Sequence, residues 1–455
     1  MSRHNGLAAT PPMGWNSYLA FGITVREAEV RANARYMADH LRPYGWEYVV
    51  VDGMWYQDTG PLAGEPPWTP VFVHPLQYNE IRAQYNEPRI EPLPLRFDGY
   101  GRLLPDLHKF PSAAGDAGFR PLADYVHGLG LKFGLHLMRG IPRQVVEGNY
   151  PILGTPYRAR DVAVLDDVCG WWQGMCGLRL DHPGAQAYYD SLAALYASWG
   201  VDFVKADDMG VPAYQAGHVA SLARALAGCG RPILLNVSTG RAADTTYAEH
   251  RKAYCEMWRI GPDLHDEWPQ VRDTFEFLPR WRPHAGPGHW PDPDMLPFGL
   301  VHLREWEASK GHPRLTKLSH DEQVTAMTLW CVSRAPLFVA GDLPANDDWT
   351  RQLLTNPEVL AVNQRGVGGH EAWRFGETRV WAATAPDGRS RIVACFQLAD
   401  APGAPIPLPF AELALPARCA VRDLWARCDL GAHTTDFAAA TPPHGARLLQ
   451  LTPAD

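Results

Sequence analysis

The chain has 455 residues, 46% of them hydrophobic, with 42 Lys and Arg against 50 Asp and Glu for a formal net charge of −8. That length and apolar content support a large core in two or three domains. Mild acidity without a basic cluster fits poorly with nucleic acid or an anionic membrane as partner, and no apolar run is long enough to span a bilayer.

The start, Met1-Ser2-Arg3-His4-Asn5-Gly6, leads into prolines without an apolar export segment, so a cytoplasmic location is expected. Met13-Gly14-Trp15-Asn16 is the first strand candidate. Thr24-Val25-Arg26-Glu27 has the form of a capping box, and Val30, Ala34, Met37 and Leu41 follow at helical spacing. Residues 46–52 read as a buried strand ending in Asp52. Residues 57–112, rich in Pro, Tyr and Asn, read as an inserted loop. A short helix over 121–130 and a strand over 131–137 come next, then a second insertion over 139–180. A helix over 183–199 precedes the strand 201–207, and a helix over 213–229 precedes the strand 232–237. Strand 254–260, helix 264–281, strand end 288–295, helix 320–334, strand 336–340 and a last helix over 347–354 complete the alternation. Eight strand candidates separated by helices predict a (β/α)8 TIM barrel over residues 1–365. A doubly wound open sheet fits less well, because acids end at least four strands, as around a barrel mouth. From residue 366 to 455, short alternating runs over 378–384, 391–397, 419–425 and 446–451 predict a small C-terminal antiparallel β-sandwich domain in a supporting role.

The eight cysteines form no C-x-x-C pair, which argues against a zinc site. Cys169 and Cys176 are close enough for a loop disulfide, but two thiols are expected in a cytoplasmic chain. There are 17 Trp residues, and Trp15, Trp55, Trp172, Trp258 and Trp290 stand at strand ends beside acids or glycines. Aromatic faces stack on sugar C–H faces, although core packing explains any single Trp equally well.

The strongest chemical signal is Val204-Lys205-Ala206-Asp207-Asp208-Met209, an acid at the C-terminal tip of a buried strand. Lys205 and Asp207 alternate onto one face, so the ammonium is expected to hold Asp207 ionised, as suits a nucleophile. Asp52, Asp263, Asp292 and Asp294 end other strands, and Arg259 lies four residues before Asp263. Two carboxylates flanking a sugar are the minimum for glycosidic cleavage, with Asp207 as nucleophile and Asp263 as acid/base. Asp52, Asp292 and Asp294 would then accept hydrogen bonds from sugar hydroxyls. Three other readings stand beside this one. Asp263 could cap the helix that follows it. Asp52, Asp207, Asp292 and Asp294 could hold a hard divalent cation, which Lys205 would oppose. The chain could also bind a sugar without cleaving it.

At these residues the chain resembles glycoside hydrolase family 27, the family of α-galactosidases and α-N-acetylgalactosaminidases. The resemblance runs over about residues 8–365. It is carried by Thr10-Pro11-Pro12-Met13-Gly14-Trp15-Asn16-Ser17, Tyr48 to Trp55, Gly130 to Gly134, Lys205-Ala206-Asp207, Arg259 to Asp263, Gly286 to Leu296 and Asn356 to Gln364. It implies a (β/α)8 barrel, a C-terminal β-sandwich and retaining hydrolysis of terminal α-linked galactose from an oligosaccharide or glycoconjugate. It implies Asp207 as nucleophile, Asp263 as acid/base, and sugar contacts from Trp15, Asp52, Lys205, Arg259 and Asp294. It implies no cofactor and no metal, and it leaves homo-oligomerisation open.

Four departures bear on specificity and stability. Asp52 is followed by Gly53, where the family usually has a second acid, so a partner for O4 or O6 is missing or supplied from elsewhere. His136 replaces the aromatic usual after the third strand and could take part of that work. Met209 replaces the cysteine usual just past the nucleophile, so that disulfide is not expected. Ser238 stands where α-galactosidases carry Glu, which leaves room for a 2-acetamido group and makes α-N-acetylgalactosaminidase an alternative. A β-L-arabinopyranoside shares the galactose ring stereochemistry without the C6 arm, which suits Gly53. Trp171 and Trp172 are candidate walls of the pocket.

Overall fold

The computed structural model describes residues 6–57, 94–169, 172–210, 213–239, 244–303 and 313–454. Most of the insertion expected at 57–112, and Trp171, lie outside them. Eight strands form one parallel sheet: β1 (Met13–Asn16), β2 (Tyr48–Val51), β3 (Lys132–Met138), β4 (Phe203–Asp207), β5 (Leu234–Val237), β6 (Met257–Arg259), β7 (Trp290–Asp292) and β8 (Leu337–Val339). Their order is β7-β6-β5-β4-β3-β2-β1-β8: β1 to β7 run in sequence order, and β8 lies beside β1. The sheet closes where Leu296 pairs with Val339: the Leu296 N–H donates to the Phe338 carbonyl at 2.7 Å and the Ala340 N–H to the Leu296 carbonyl at 3.1 Å. This is the (β/α)8 barrel expected from the alternation.

Strand alternation decides what faces the barrel axis. Tyr48, Val50, Phe203, Leu234, Met257, Trp290 and Phe338 cluster inside as an apolar floor. Their neighbours Val49, Val51, Val204, Leu235 and Trp258 face outward into the core beneath the helices. Two residues beyond the floor, the same inward rows carry Asp52, Lys205, Asn236 and Asp292, so the strands that build the floor also aim the charges at the mouth.

The helices follow the sequence pattern with shifted ends. Pro183–Trp199 is stopped by Gly200 at φ 82°, a left-handed position that favours glycine. The first long helix, Glu27–Tyr36, buries Val30 and Ala34 as expected, but its box is two residues later than the sequence suggests, with the Arg26 N–H donating to Glu29 Oε2 at 2.8 Å. Tyr254, read as the start of a strand, ends the helix Ala248–Tyr254, and β6 begins at Met257. The helix after Asp263 begins only at Trp268. A helix not anticipated, Pro357–Arg365, follows Asn356, whose Oδ1 accepts from the Glu358 and Val359 N–H groups at 3.0 and 3.3 Å.

The second insertion is not a loop. Ile141–Pro142, Met175–Leu178 and Ala163–Val168 form a three-stranded antiparallel sheet seated directly after β3. Cys169 and Cys176 are both buried, and neither is in a disulfide. The C-terminal region is a six-stranded antiparallel sheet ordered 367–375, 378–384, 391–397, 446–453, 418–423 and 428–434, with a ribbon of 406–409 and 436–439. Val380, Val393, Cys395 and Leu449 pack with Ile406 and Leu408 of the ribbon, while Trp381, Ala394, Phe396 and Leu448 join the barrel's outer core.

Candidate active site

Asp52, just past β2, is buried at the barrel axis. Its Oδ2 accepts from Lys205 Nζ at 2.7 Å and from Asn16 Nδ2 at 2.6 Å. Burial would raise this carboxyl, but the Lys205 ammonium and His136 outweigh it and hold the group below its ordinary value. Lys205 is in turn pushed up: burial acts against its charge, and Asp52 first, then Asp294 and Asp207, overcome that.

The direct partner of Lys205 is therefore Asp52 across the sheet, not Asp207 two residues along its own strand, which corrects the sequence reading. Asp207 is held instead by His136, whose Nε2 lies 3.3 Å from Asp207 Oδ2, and by the Asp208 N–H, which donates to Oδ1 at 2.7 Å. Burial works against the Asp207 charge, yet His136, with Lys205 behind it, keeps the carboxyl well below the usual carboxylate range. The conclusion that Asp207 is a standing anion survives with a different principal cause. Neither contact follows from strand spacing alone: His136 is in register with Lys205 and reaches Asp207 diagonally, and Asp52 lies two strands from Lys205, so long side chains converging inside the closed barrel make both.

On the other side of the mouth, Arg259 is buried and forks between two acids. Its Nη1 lies 2.9 Å from Asp294 Oδ1 and its Nη2 lies 3.1 Å from Asp263 Oδ1. Asp294 Oδ2 accepts the Leu264 N–H at 2.8 Å, and the Asp294 N–H donates to Asp292 Oδ1 at 2.9 Å. Burial raises the carboxyls of both Asp294 and Asp292, with Arg259 opposing in each. Asp292 also accepts from Asn236 Nδ2 at 3.3 Å. Asp263 is not a helix cap, since the helix starts after Glu267. Apart from the Arg259 contact its side chain faces outward, 72% exposed, while Asp207 is 25% exposed and the charged partners beneath are essentially closed off. Asp207 and Asp263 are thus the most exposed acids of the network.

Ser238 lies one step beyond β5 on the inward row of Leu234 and Asn236, with its N–H on the Ala206 carbonyl at 2.7 Å. Gly53 faces His136: a Cβ there would come 3.8 Å from His136 Cε1 and 3.9 Å from Nδ1. Two tryptophans expected at the sugar are not brought to the ring of charges. Trp15 is fully buried in the outer core, with its indole N–H on the Gly341 carbonyl at 2.8 Å. The inward residues of β1 are Gly14 and Asn16, so the period of two turns Trp15 toward the helices. Trp172 is also buried in the outer core, its ring centroid 6.2 Å from that of Tyr56. The half-buried aromatic near the charges is Tyr18, over whose ring Lys205 Nζ sits at 5.9 Å. Asn16 and Asn236 were legible in principle, each two residues from an inward neighbour. Tyr18 lies outside any strand and carries no periodic signal. Among the described residues no group of His, Cys, Asp and Glu has the arrangement to hold a metal ion.

A closed parallel barrel with paired, unequally exposed carboxylates at its C-terminal mouth has the architecture of a carbohydrate hydrolase, and the relatives of the chain are of that class. Residues 173–365 match the model of alpha galactosidase A, and residues 375–451 match the alpha galactosidase C-terminal beta sandwich domain. The structure is similar to the family 27 β-L-arabinopyranosidase of Geobacillus stearothermophilus, with 42% identity, TM-score 0.89, and 98% of this chain and 97% of that chain covered. The α-galactosidase of Cyamopsis tetragonoloba is 26% identical over 99% of this chain and 88% of its own. The α-N-acetylgalactosaminidase of Rattus norvegicus is 28% identical over 80% of this chain and 70% of its own. The chain belongs to glycoside hydrolase family 27.

Proposed function

We propose that the chain is a retaining glycosidase that releases β-L-arabinopyranose in preference to α-D-galactose. The observation that carries the preference is Gly53 beside His136. A second acid after Asp52 would add a charge-assisted partner for a hydroxyl at C4 or C6; glycine removes it and leaves the His136 imidazole beside that position at ordinary contact distance. The pentose presents the same ring hydroxyl stereochemistry without the C6 arm, so it loses less. The 42% identity to a β-L-arabinopyranosidase supports the same choice.

In this reading Asp207 attacks C1 as Asp263 donates its proton to the departing glycosidic oxygen. A glycosyl ester of Asp207 forms and the aglycone leaves as an alcohol. Asp263, now a carboxylate, takes a proton from water as that water attacks C1, the Asp207 ester breaks, and the anomeric configuration is retained. The His136 contact that keeps Asp207 anionic also makes it a good leaving group in the second step. Asp52, Lys205, Arg259, Asp292 and Asp294, the ring of charge above the apolar floor, take the sugar hydroxyls. Ser238 on the inward row beyond β5 supports N-acetylgalactosaminide hydrolysis as the second reading.

The test is kcat/KM on nitrophenyl β-L-arabinopyranoside, α-D-galactopyranoside and α-N-acetylgalactosaminide. The pentoside is expected to lead the galactoside by roughly tenfold or more, the scale of one small substituent in a pocket. A lead for the N-acetylgalactosaminide would transfer the assignment to the second reading, and a lead for the galactoside would overturn the preference.

A further inference from the structure

We propose that Arg139 is a positioning residue for the Asp207 carboxylate, acting through Asp208 without touching substrate. The proposal rests on the reading of Asp207 as nucleophile. Arg139 follows β3 and is 1% exposed at its side chain. Its backbone N–H donates to the Asp207 carbonyl at 3.2 Å. Its Nε donates both to the Asp208 carbonyl at 3.1 Å and to Asp208 Oδ2 at 2.9 Å, while Nη1 reaches Asp167 Oδ2 at 2.6 Å. One side chain thus ties together the ends of β3 and β4 and the strand Ala163–Val168 of the inserted sheet.

What this fork holds is a strained residue. Asp208 sits at φ 60°, a left-handed conformation uncommon for a side-chain-bearing residue. The Asp208 N–H donates to Asp207 Oδ1, 2.7 Å away, while Arg139 Nε holds the Asp208 carbonyl and carboxylate on the far side of the same residue. Loosening that grip frees the Asp207–Asp208 peptide to turn, and the Asp207 carboxylate with it. The support continues behind Asp167: His218 Nε2 lies 3.9 Å from its Oδ2, and the Tyr189 hydroxyl lies 2.8 Å from His218 Nδ1. A lysine keeps the charge but cannot reproduce a fork that grips a carbonyl and two carboxylates at fixed angles. Strain at a functional site held by rigid surroundings is the general pattern.

The experiment uses Arg139→Lys and, as a second background, Asp208→Ala. Each is assayed on an activated pentoside and inactivated with a 2-deoxy-2-fluoroglycoside, the labelled side chain being mapped by mass spectrometry. The expected result is label on Asp207, with kcat and the labelling rate down roughly ten- to a hundredfold and KM changed by less than about twofold, because misorientation of a reacting group penalises the transition state rather than ground-state binding. Folded variants of both kinds with wild-type kcat and labelling rate would overturn the positioning role. So would a rise in KM at unchanged kcat, which places Arg139 in binding. Label on another side chain in the wild-type enzyme would overturn the nucleophile reading and the clamp with it.

Discussion

Asp207 and Asp208 are adjacent acids driven in opposite directions. Both are desolvated, but Asp207 has His136 at its carboxylate and falls, whereas Asp208 rises from the ordinary 3.8 to about 6 because burial outweighs Arg139 and the Asp207 charge adds to the rise. A carboxyl raised in the folded state binds more protons there than in the unfolded chain between those two values. Its contribution to stability is therefore present at low pH and is lost as pH climbs from about 4 through about 6, by about 3 kcal/mol. Removing the titration in Asp208→Asn should make the variant gain on wild type over that window; urea midpoints of the two proteins at pH 4 and pH 8 check it. At Asp207 itself, Asp207→Gly should fold with hydrolysis nearly abolished, and azide should restore part of the turnover by attacking C1 in its place. Gly53 allows a converse test: its backbone is ordinary and a Cβ would have normal clearance, so Gly53→Asp should fold and raise the galactoside rate relative to the pentoside. The acids themselves were legible as strand-end residues. Their partners were not, because Lys205 meets Asp52 and His136 meets Asp207 across strands, and a register is set by the closed sheet rather than by local spacing.

At the scale of elements, the period of two carried most of what the sequence had to tell. It places Tyr48, Val50 and Asp52 on one row and Phe203, Lys205 and Asp207 on another, floor below and charge above. Applied to β1, the same rule turns Gly14 and Asn16 inward, and it would have removed Trp15 from the sugar contacts. The inserted sheet was hidden for a different reason. Its strands are short, one is only Ile141–Pro142, and the edge strand Ala163–Val168 shows no buried alternation, so neither composition nor periodicity marks them. Besides the Arg139–Asp167 contact, this sheet meets the barrel at a close backbone approach. Gly140 sits at φ 88°, and a Cβ there would fall 2.0 Å from the Cys176 carbonyl oxygen. Gly140→Ala combines left-handed strain of about 1–3 kcal/mol with that collision. Because Gly140 adjoins Arg139, the variant should lose both stability and kcat, read as a lower urea midpoint and slower turnover. Stability lost at unchanged kcat would separate the inserted sheet from the chemistry.

The whole molecule is joined by a helix buried on both sides. His320–Ser333 packs Trp330 and Leu329 into the barrel's outer core, and the same core continues into Trp381, Phe396 and Leu448 of the C-terminal sheet. A surface helix would show one apolar stripe, but this one is buried nearly all round after its first turn. Polar contacts pin the orientation. The His444 ring stacks on Trp268 at 4.2 Å while its Nδ1 lies 2.8 Å from Glu322 Oε1, Trp425 Nε1 donates to Thr328 Oγ1 at 2.8 Å, and Arg422 grips Glu358 with two contacts of 2.8 Å. The change in pattern near residue 366 was visible in the sequence; the sharing of one core across it was not, since shared burial depends on which faces meet. A shared core makes the C-terminal sheet part of the barrel's stability. Trp381→Ala, which opens a cavity at a fully buried position of that sheet, should cost about 3–5 kcal/mol. If the two regions are one cooperative unit, the loss will appear in the barrel as well. Thermal inactivation of hydrolysis and the calorimetric transition should then move down together as a single event. An early transition of the sheet alone, with hydrolysis surviving to the wild-type temperature, would show that the barrel holds its charged mouth without that support.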